Sequence, residues 1–412
     1  MKKKLISAVA ALSLFGSVSI ASAGTVTTKG DTNITIGGFT QMYFDWANNQ
    51  GFLGNTANPE FTETGTKSTP AQTSFGSTAN FTRLGLALEN KSEGIKGLIE
   101  GDFCGGGANI STDQKGNFRL RHAYFVKEFH PEGCNYTPWL LVGQTFNSGF
   151  YTSYTLNRPV GIAGSSSGPA SRVSQVGFGV KFDLGSVKLN PQIAAEDLST
   201  FIDQGKFDSR RTMPGLGVRV PVEFNTGLGA PATFYANFQW QKLKLSNETY
   251  KIDSSNRDSY EFGGGLELPV YFVSFKVDAH HSKGFTKYDL LSGKVMPPSY
   301  YLDNGSIEKV SATAWDAMLK VDFNKLAQVP FTLAGGYSQV VFGNLRSLDE
   351  FKDKYYARKA STIFANVSYN LTKSATLGLE YDRNKTYYVG AGNDPDDGRV
   401  SNQVFFVGTY KF

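Results

Sequence analysis

The residues best suited to metal or redox chemistry in this sequence of 412 are four histidines and two cysteines. His280 and His281 are adjacent within a run of alternating residue types. Neighbours on an extended strand point to opposite faces, so the two rings cannot chelate one ion together. Asp278 and His280 share a face, a pairing a hydrolase could use, but no serine signature accompanies it. The segment Asn393-Asp394-Pro395-Asp396-Asp397-Gly398 offers oxygen ligands at short spacing. It lacks the downstream glutamate of a calcium loop, and an acidic surface loop accounts for it. Cys104 and Cys134 fall near opposite ends of expected strands, beyond disulfide reach, so two free thiols are expected. No catalytic residue, metal or cofactor is expected, and the chain does not read as an enzyme.

Composition says which elements must carry the side chains. Charged residues are 19% and hydrophobic ones 40%, while aromatics reach 14% and glycine numbers 45. An ordinary soluble domain carries about 25% charged residues. Abundant aromatics exclude a disordered chain. A mean hydropathy of −0.27, with no long apolar run past the first two dozen residues, excludes a helical membrane protein. That first stretch reads as a secretory signal over residues 1–23. Lys2, Lys3 and Lys4 are followed by a short apolar core and the cleavage site Ala21-Ser22-Ala23. Its removal would leave residues 24–412 with 38 basic and 36 acidic side chains, a net charge of +2. A balance so near neutral argues against nucleic acid as a partner.

The rest alternates with a period of two. Leu216, Val218, Val220, Val222 and Phe224 share one face, with Arg219 and Glu223 on the other. Phe234, Ala236, Phe238 and Trp240 oppose Tyr235, Asn237, Gln239 and Gln241. The segments 175–184 and 187–196 repeat the pattern. Sixteen strands are expected, near 33–47, 76–90, 94–105, 117–128, 139–149, 172–184, 187–197, 213–224, 232–245, 258–268, 272–283, 309–323, 331–342, 360–371, 375–388 and 402–412. Fourteen and eighteen are the neighbouring even counts. A soluble sandwich would alternate as well. These strands run to about ten residues, longer than the usual five or six. Tight links such as Gly185-Ser186 and Thr372-Lys373-Ser374 also alternate with long loops near 49–73, 150–171, 284–307 and 344–358. Together these features give an all-β fold, a transmembrane antiparallel barrel with short periplasmic turns and long extracellular loops. Lipid offers no hydrogen bonds, so such a sheet must close on itself. Half of each strand then serves lipid and half serves water, with no dry core between them.

Parity places the charges. Leu84, Leu86 and Leu88 face lipid, so Arg83 and Glu89 face the lumen. Ile99, Gly101 and Phe103 put Glu100 and Asp102 inside. In the next strand Phe118, Leu120, Tyr124 and Val126 form the apolar side, with His122 the exception on it. Arg119 and Arg121 therefore point inward, as do Arg219 and Glu223. Two readings stand for this set: an arginine-rich wall that polarises a pore, or cross-strand ion pairs that stiffen it. A water-filled lumen would keep such pairs solvated, each contributing about 1 kcal/mol or less.

Short motifs add a family resemblance. Thr35-Ile36-Gly37-Gly38-Phe39 with Tyr43, Arg83-Leu84-Gly85-Leu86, Glu100-Gly101-Asp102-Phe103, Phe118 to Tyr124 and Gly143-Gln144-Thr145 resemble the opening strands of trimeric Gram-negative outer-membrane porins. They are most similar to the substrate-preferring subgroup that includes dicarboxylate channels. The last strand, with Tyr410 and the terminal Phe412, resembles the insertion signal of bacterial outer-membrane proteins. The resemblance implies a passive diffusion channel for small hydrophilic solutes in the outer membrane, to which the arginine wall adds a modest lean to anions. It also implies a homotrimer, contact with outer-membrane lipid and lipopolysaccharide, and dependence on the barrel-assembly machinery. It further implies that the loop 150–171, carrying Tyr151, Tyr154 and Arg158, folds inward as a constriction; a loop that packs outside is the other reading. An adhesin or receptor barrel with a blocked lumen is the alternative function.

Overall fold

A period of two commits each segment to extended backbone, because only a strand places i and i+2 on one face. The structure, a computed structural model, describes residues 24–28, 31–48, 73–105, 116–149, 172–198, 207–248, 252–286, 296–303, 306–345, 356–389 and 398–412. They form a closed antiparallel barrel of sixteen strands. In order these are β1 (Thr32–Asn48), β2 (Thr73–Thr78 and Arg83–Asn90), β3 (Ile95–Asp102), β4 (Arg119–Glu128) and β5 (Tyr136–Phe146). Next come β6 (Arg172–Asp183), β7 (Val187–Leu189 and Gln192–Glu196), β8 (Asp208–Arg211 and Gly215–Phe224) and β9 (Ala232–Asn247). After them follow β10 (Ile252–Val270), β11 (Val273–Lys283), β12 (Ser311–Asp322) and β13 (Phe331–Gly343). The last are β14 (Tyr356–Asn370), β15 (Ala375–Val389) and β16 (Gly398–Lys411). Each pairs with the next, and the ladder from Phe39↔Lys411 to Asn48↔Asn402 joins β1 to β16. A short strand, Gly24–Thr27, pairs with residues 33–36 of β1 along the part of that edge β16 does not reach.

Connections differ between the two ends. At one end they are turns, from residues 271–272 to residues 323–330, the longest holding the single-turn helix α1 (Phe323–Ala327). The β6–β7 turn is tight because Gly185 takes φ of 81°, a left-handed value that side chains resist. At the other end residues 49–72, 147–171 and 284–310 separate consecutive strands, with 248–251 a short exception.

The two faces of the wall have opposite chemistry. Leu84, Ile99, Val176, Phe178, Phe234, Ile363 and Leu379 are exposed on the outside. Asp45, Glu100, Asp102, Gln239, Gln241, Glu261, Asp316, Glu380 and Gln403 face inward and are each 1% exposed or less. Apolar residues outside and polar ones inside are the arrangement a lipid-spanning barrel requires.

One expectation is corrected here, for the lumen does contain dry packing. The β11–β12 connection folds inward as a hairpin, Tyr300–Asp303 with Ser306–Lys309. On one side Tyr300 and Ile307 join Val173 of β6 and Leu243 and Leu245 of β9 in an apolar cluster. On the other side Tyr301 joins Ala312, Ala314, Val340, Phe342, Ala360 and Tyr388, from β12 to β15. The Tyr300 hydroxyl meets Ser259 Oγ of β10 at 2.5 Å. Near the loop end the lumenal positions therefore turn from polar to apolar, and the hairpin covers them.

Candidate functional site

β2, β3 and β4 set five charges on adjoining lumenal positions. Asp102 lies opposite Arg83 in one ladder and opposite Arg119 in the next. Arg119 donates from Nε and Nη2 to the two oxygens of Asp102, at 2.9 and 2.6 Å. Arg121 donates from Nη1 to Asp102 Oδ2 at 2.6 Å and from Nε to Glu100 Oε1 at 2.8 Å. Arg83 stands back, with Nη1 3.8 Å from Glu100 Oε1 and its guanidinium 5.1 Å from the centre of the Phe39 ring. These are charge-assisted, partly bidentate contacts. The expected solvation of the pairs is corrected: the side chains of Glu100, Asp102 and Arg121 are only 1%, 0% and 6% exposed. They are buried from water, so removing one partner strands a buried charge.

The sequence reading of β4 fails beyond Arg121. The register shifts between Glu100 and Gly101, which pair with His122 and Leu120 and leave Arg121 as a bulge. A bulge inserts one residue and reverses the parity beyond it. His122, Tyr124 and Val126 therefore lie on the lumenal side, and Phe125 is exposed outside. His122 Nδ1 meets Thr145 Oγ1 of β5 at 3.1 Å. The same bulge lets Arg121 reach both carboxylates of β3.

Arg219 and Glu223 take the faces parity gave them. Arg219 Nη2 donates to Gln192 Oε1 at 3.2 Å, across the β7–β8 pair. Glu223, nearer the turn end, is partly exposed and pairs with Lys188 at 3.2 Å. Tyr151, Tyr154 and Arg158 lie outside the described residues. The residues just before them leave the wall. Asn147 Nδ2 donates to Gln239 Oε1 of β9 at 3.1 Å, although β9 is four strands from β5. Ser148 donates from N and Oγ to Glu196 Oε1 of β7, at 2.8 and 2.6 Å. Gln239 Nε2 donates to the other oxygen of Glu196 at 3.2 Å. Glu196 and Gln239 thus clasp the start of the loop against the lumenal wall.

The sequence reading passed over a second set of charges. Asp45, Glu261, Asp316, Glu380 and Asp382 all face the lumen, from β1, β10, β12 and β15, and Asp278 joins them from β11. Asp278 lies opposite Asp316 in the β11–β12 ladder. Glu261 bonds His280 Nδ1 at 2.5 Å and accepts from Asn237 Nδ2 at 2.7 Å, while His280 Nε2 meets the Tyr235 hydroxyl at 2.9 Å. Asp45 accepts from Gln403 at 2.7 Å and Glu380 from Asn366 at 2.9 Å. The signal was available: Glu380 sits between Leu379 and Tyr381, and Asp316 between Trp315 and Ala317, as Arg219 sits between Val218 and Val220. The lumenal arginines of β2, β4 and β8 thus share the barrel with carboxylates on β10–β12, β15 and β1.

The remaining marked residues fall at the rims. Tyr410 is 54% exposed on the outer face. Phe412 ends in the ladder, its N and O each bonded to Gly38 at 3.2 Å. Cys104 is buried, its Sγ donating to Asn80 O at 3.2 Å, and Cys134 is exposed in the β4–β5 turn; both are free.

No protein-family model and no curated protein matches the sequence. Solved structures do match by shape. The outer membrane channel DcaP of Acinetobacter baumannii superposes with a TM-score of 0.71 at 19% identity, over 94% of this chain and 99% of that one. OmpT, an outer membrane protein of Vibrio cholerae, gives 0.53 at 10% identity, over 95% and 100%. OprB of Pseudomonas putida gives 0.50 at 9%, over 91% and 94%. With its inside-out faces, its sixteen strands and its unequal ends, this chain has the fold of the outer-membrane porins.

Proposed function

We propose that this protein is a passive diffusion channel for small hydrophilic solutes across a bacterial outer membrane, with a modest lean to anions. The observation that carries the reading is a closed barrel whose outer face is apolar and whose inner face bears charged side chains, among them Asp45, Glu100, Asp102, Arg219, Glu261, Asp316 and Glu380. A sixteen-strand barrel has a lumen too wide for its own side chains to fill. Arg83, Arg119, Arg121 and Arg219 supply the positive side of the lumenal field, while Glu100, Asp102 and Glu223 balance part of it. The loop 150–171, with Tyr151, Tyr154 and Arg158, serves as the constriction. Its clasped start at Ser148 and Asn147 supports that role. Export relies on cleavage after Ala23. Tyr410 and Phe412 act as the insertion signal read by the assembly machinery, and three chains make the working unit.

A planar bilayer with a salt gradient tests the core of this. Ion conductance is expected, with a reversal potential on the anion side. Absence of conductance would sink the channel. A cation-selective potential would reject the anion lean alone. Replacing Arg119 and Arg121 together by Ala should move the potential toward cations. No movement would make them wall residues only.

A further inference from the structure

The outer face of the barrel is apolar until it nears the loop end, and there one sector turns basic. On β15 the outward residues run Leu377, Leu379, Tyr381, Arg383, Lys385, Tyr387. The inward neighbours Asp382, Asn384 and Thr386 are 1%, 3% and 1% exposed, which fixes the alternation. On β14 the outward series is Tyr369, Val367, Ala365, Ile363, Ser361 and Lys359. The ladder sets Ile363 beside Arg383, Ser361 beside Lys385 and Lys359 beside Tyr387. On β16 the exposed Val404 and Phe406 give way to Asn402, which lies opposite Arg383. The outward face therefore turns from apolar to basic on β14 and β15 as it nears the loop end, with the polar Asn402 of β16 beside Arg383.

Two of these cations share one ring. Lys385 Nζ lies 4.6 Å and Lys359 Nζ 5.7 Å from the centre of the Tyr387 ring, so one tyrosine gathers both. A Cβ on Gly398 would meet Lys385 Cε at 2.4 Å and the Tyr387 ring at 2.9 Å, so the bare backbone of β16 gives the pair its place. At the lower rim the Tyr381 hydroxyl donates to Asn402 Oδ1 at 2.6 Å. Among the described residues none of Lys359, Arg383 and Lys385 is in a salt bridge, and no acid shares their outward ladder positions. Cations on a membrane-facing surface are costly in hydrocarbon and favoured at a headgroup layer that carries negative charge. A tyrosine girdle marks that layer.

We propose that Lys359, Arg383 and Lys385 form a binding site for the phosphate groups of an anionic glycolipid of the lipid A class, in the leaflet at the loop end. The acyl chains lie along Ile363, Leu379 and Phe406, and the phosphorylated sugar rests on the basic triad with Tyr381 and Asn402 beneath it. Arg383 offers a planar fork to phosphate oxygens, and the two lysines offer point charges nearer the loop end. The proposal rests on the outer-membrane placement above, but not on conductance.

The test uses the full chain refolded in detergent, with native mass spectrometry and diphosphoryl lipid A as the probe. In the K359Q/R383Q/K385Q variant its Kd should rise about tenfold or more. Monophosphoryl lipid A should bind the wild type more weakly than the diphosphoryl form. Inorganic phosphate at the same concentration should not displace it. Unchanged binding by the triple variant overturns the site, and displacement by phosphate alone overturns the lipid as its occupant. A wild-type measurement guards against a variant that fails to fold. Lysine acetylation read by mass spectrometry should be blocked by lipid A at Lys359 and Lys385 and unaffected at Lys127. No protection, or protection without lipid because a second copy covers the patch, also overturns the site. Lipid binding that depends on the triad in a barrel that does not conduct would reject the channel and keep the site.

Discussion

At the residue scale, Arg121 is the joint of the charged wall. It is the bulged residue of β4, and it bonds Glu100 and Asp102 at once. Replacing it by Ala leaves two buried carboxylates one cation short, a loss of about 3–5 kcal/mol for a broken buried pair. Arg119 has a more exposed side chain, and its removal leaves Asp102 still bonded to Arg121. The unfolding temperature of R121A in detergent should therefore fall well below that of R119A; equal temperatures would mean that bridging both carboxylates gives Arg121 no larger share than Arg119. The cysteines make a second prediction. Burial pushes the Cys104 thiol up to about 11, so it is almost wholly protonated at pH 8 and a poor nucleophile. One maleimide per folded chain is expected, at Cys134, with Cys104 reacting only after unfolding; labelling of Cys104 in the folded barrel at pH 8 would refute this. Period-two reasoning read the charges of β2 and β3 correctly because residues 83–90 and 95–102 pair without a register shift. It misplaced His122, Tyr124 and Val126 because a bulge leaves no mark on hydropathy: Arg-Leu-Arg-His-Ala-Tyr alternates plausibly with or without it.

At the element scale, the inward hairpin between β11 and β12 was the least legible part of the chain. Residues 300–309 hold one short apolar stretch, Tyr300-Tyr301-Leu302, inside a polar loop. Their partners are Leu243 and Leu245 on one wall and Val340, Phe342 and Tyr388 on another, far away in sequence. A local pattern carries no record of such contacts. Alternation in β9 did place Leu243 and Leu245 on the lumenal face, and two leucines at consecutive inward positions were the available hint. Replacing residues 297–309 by a short glycine-serine link should raise single-channel conductance, because the hairpin crosses the mouth. Equal conductance would mean that the narrowest point lies elsewhere. The clasp on the β5–β6 loop acts separately, through Glu196 and Gln239, and should survive that deletion.

At the scale of the whole molecule, nearly everything came from alternation and link length. All sixteen strands were legible, down to the long β13–β16 run, because each must satisfy lipid on one side and polar surroundings on the other. Subunit number was not legible, since any outward apolar face suits lipid and a partner subunit equally. The proposed trimer predicts that unheated protein in SDS migrates as three chains and collapses to one on boiling. A single-chain band before heating would reject it.

The ladder between β1 and β16 has a temporal side. Gln403 and Asp45 bond across 358 positions of sequence, and every pair in that ladder spans a comparable gap. All other neighbouring strands can pair soon after they emerge, but this one waits for the whole chain. Folding rate falls as contacting residues grow distant in sequence. Until the last strand arrives, both rims of the sheet stand open, each a template for pairing with another chain. Ring closure is thus a slow, late and all-or-none step, and an unfinished sheet needs an escort that keeps its rims from pairing with anything else.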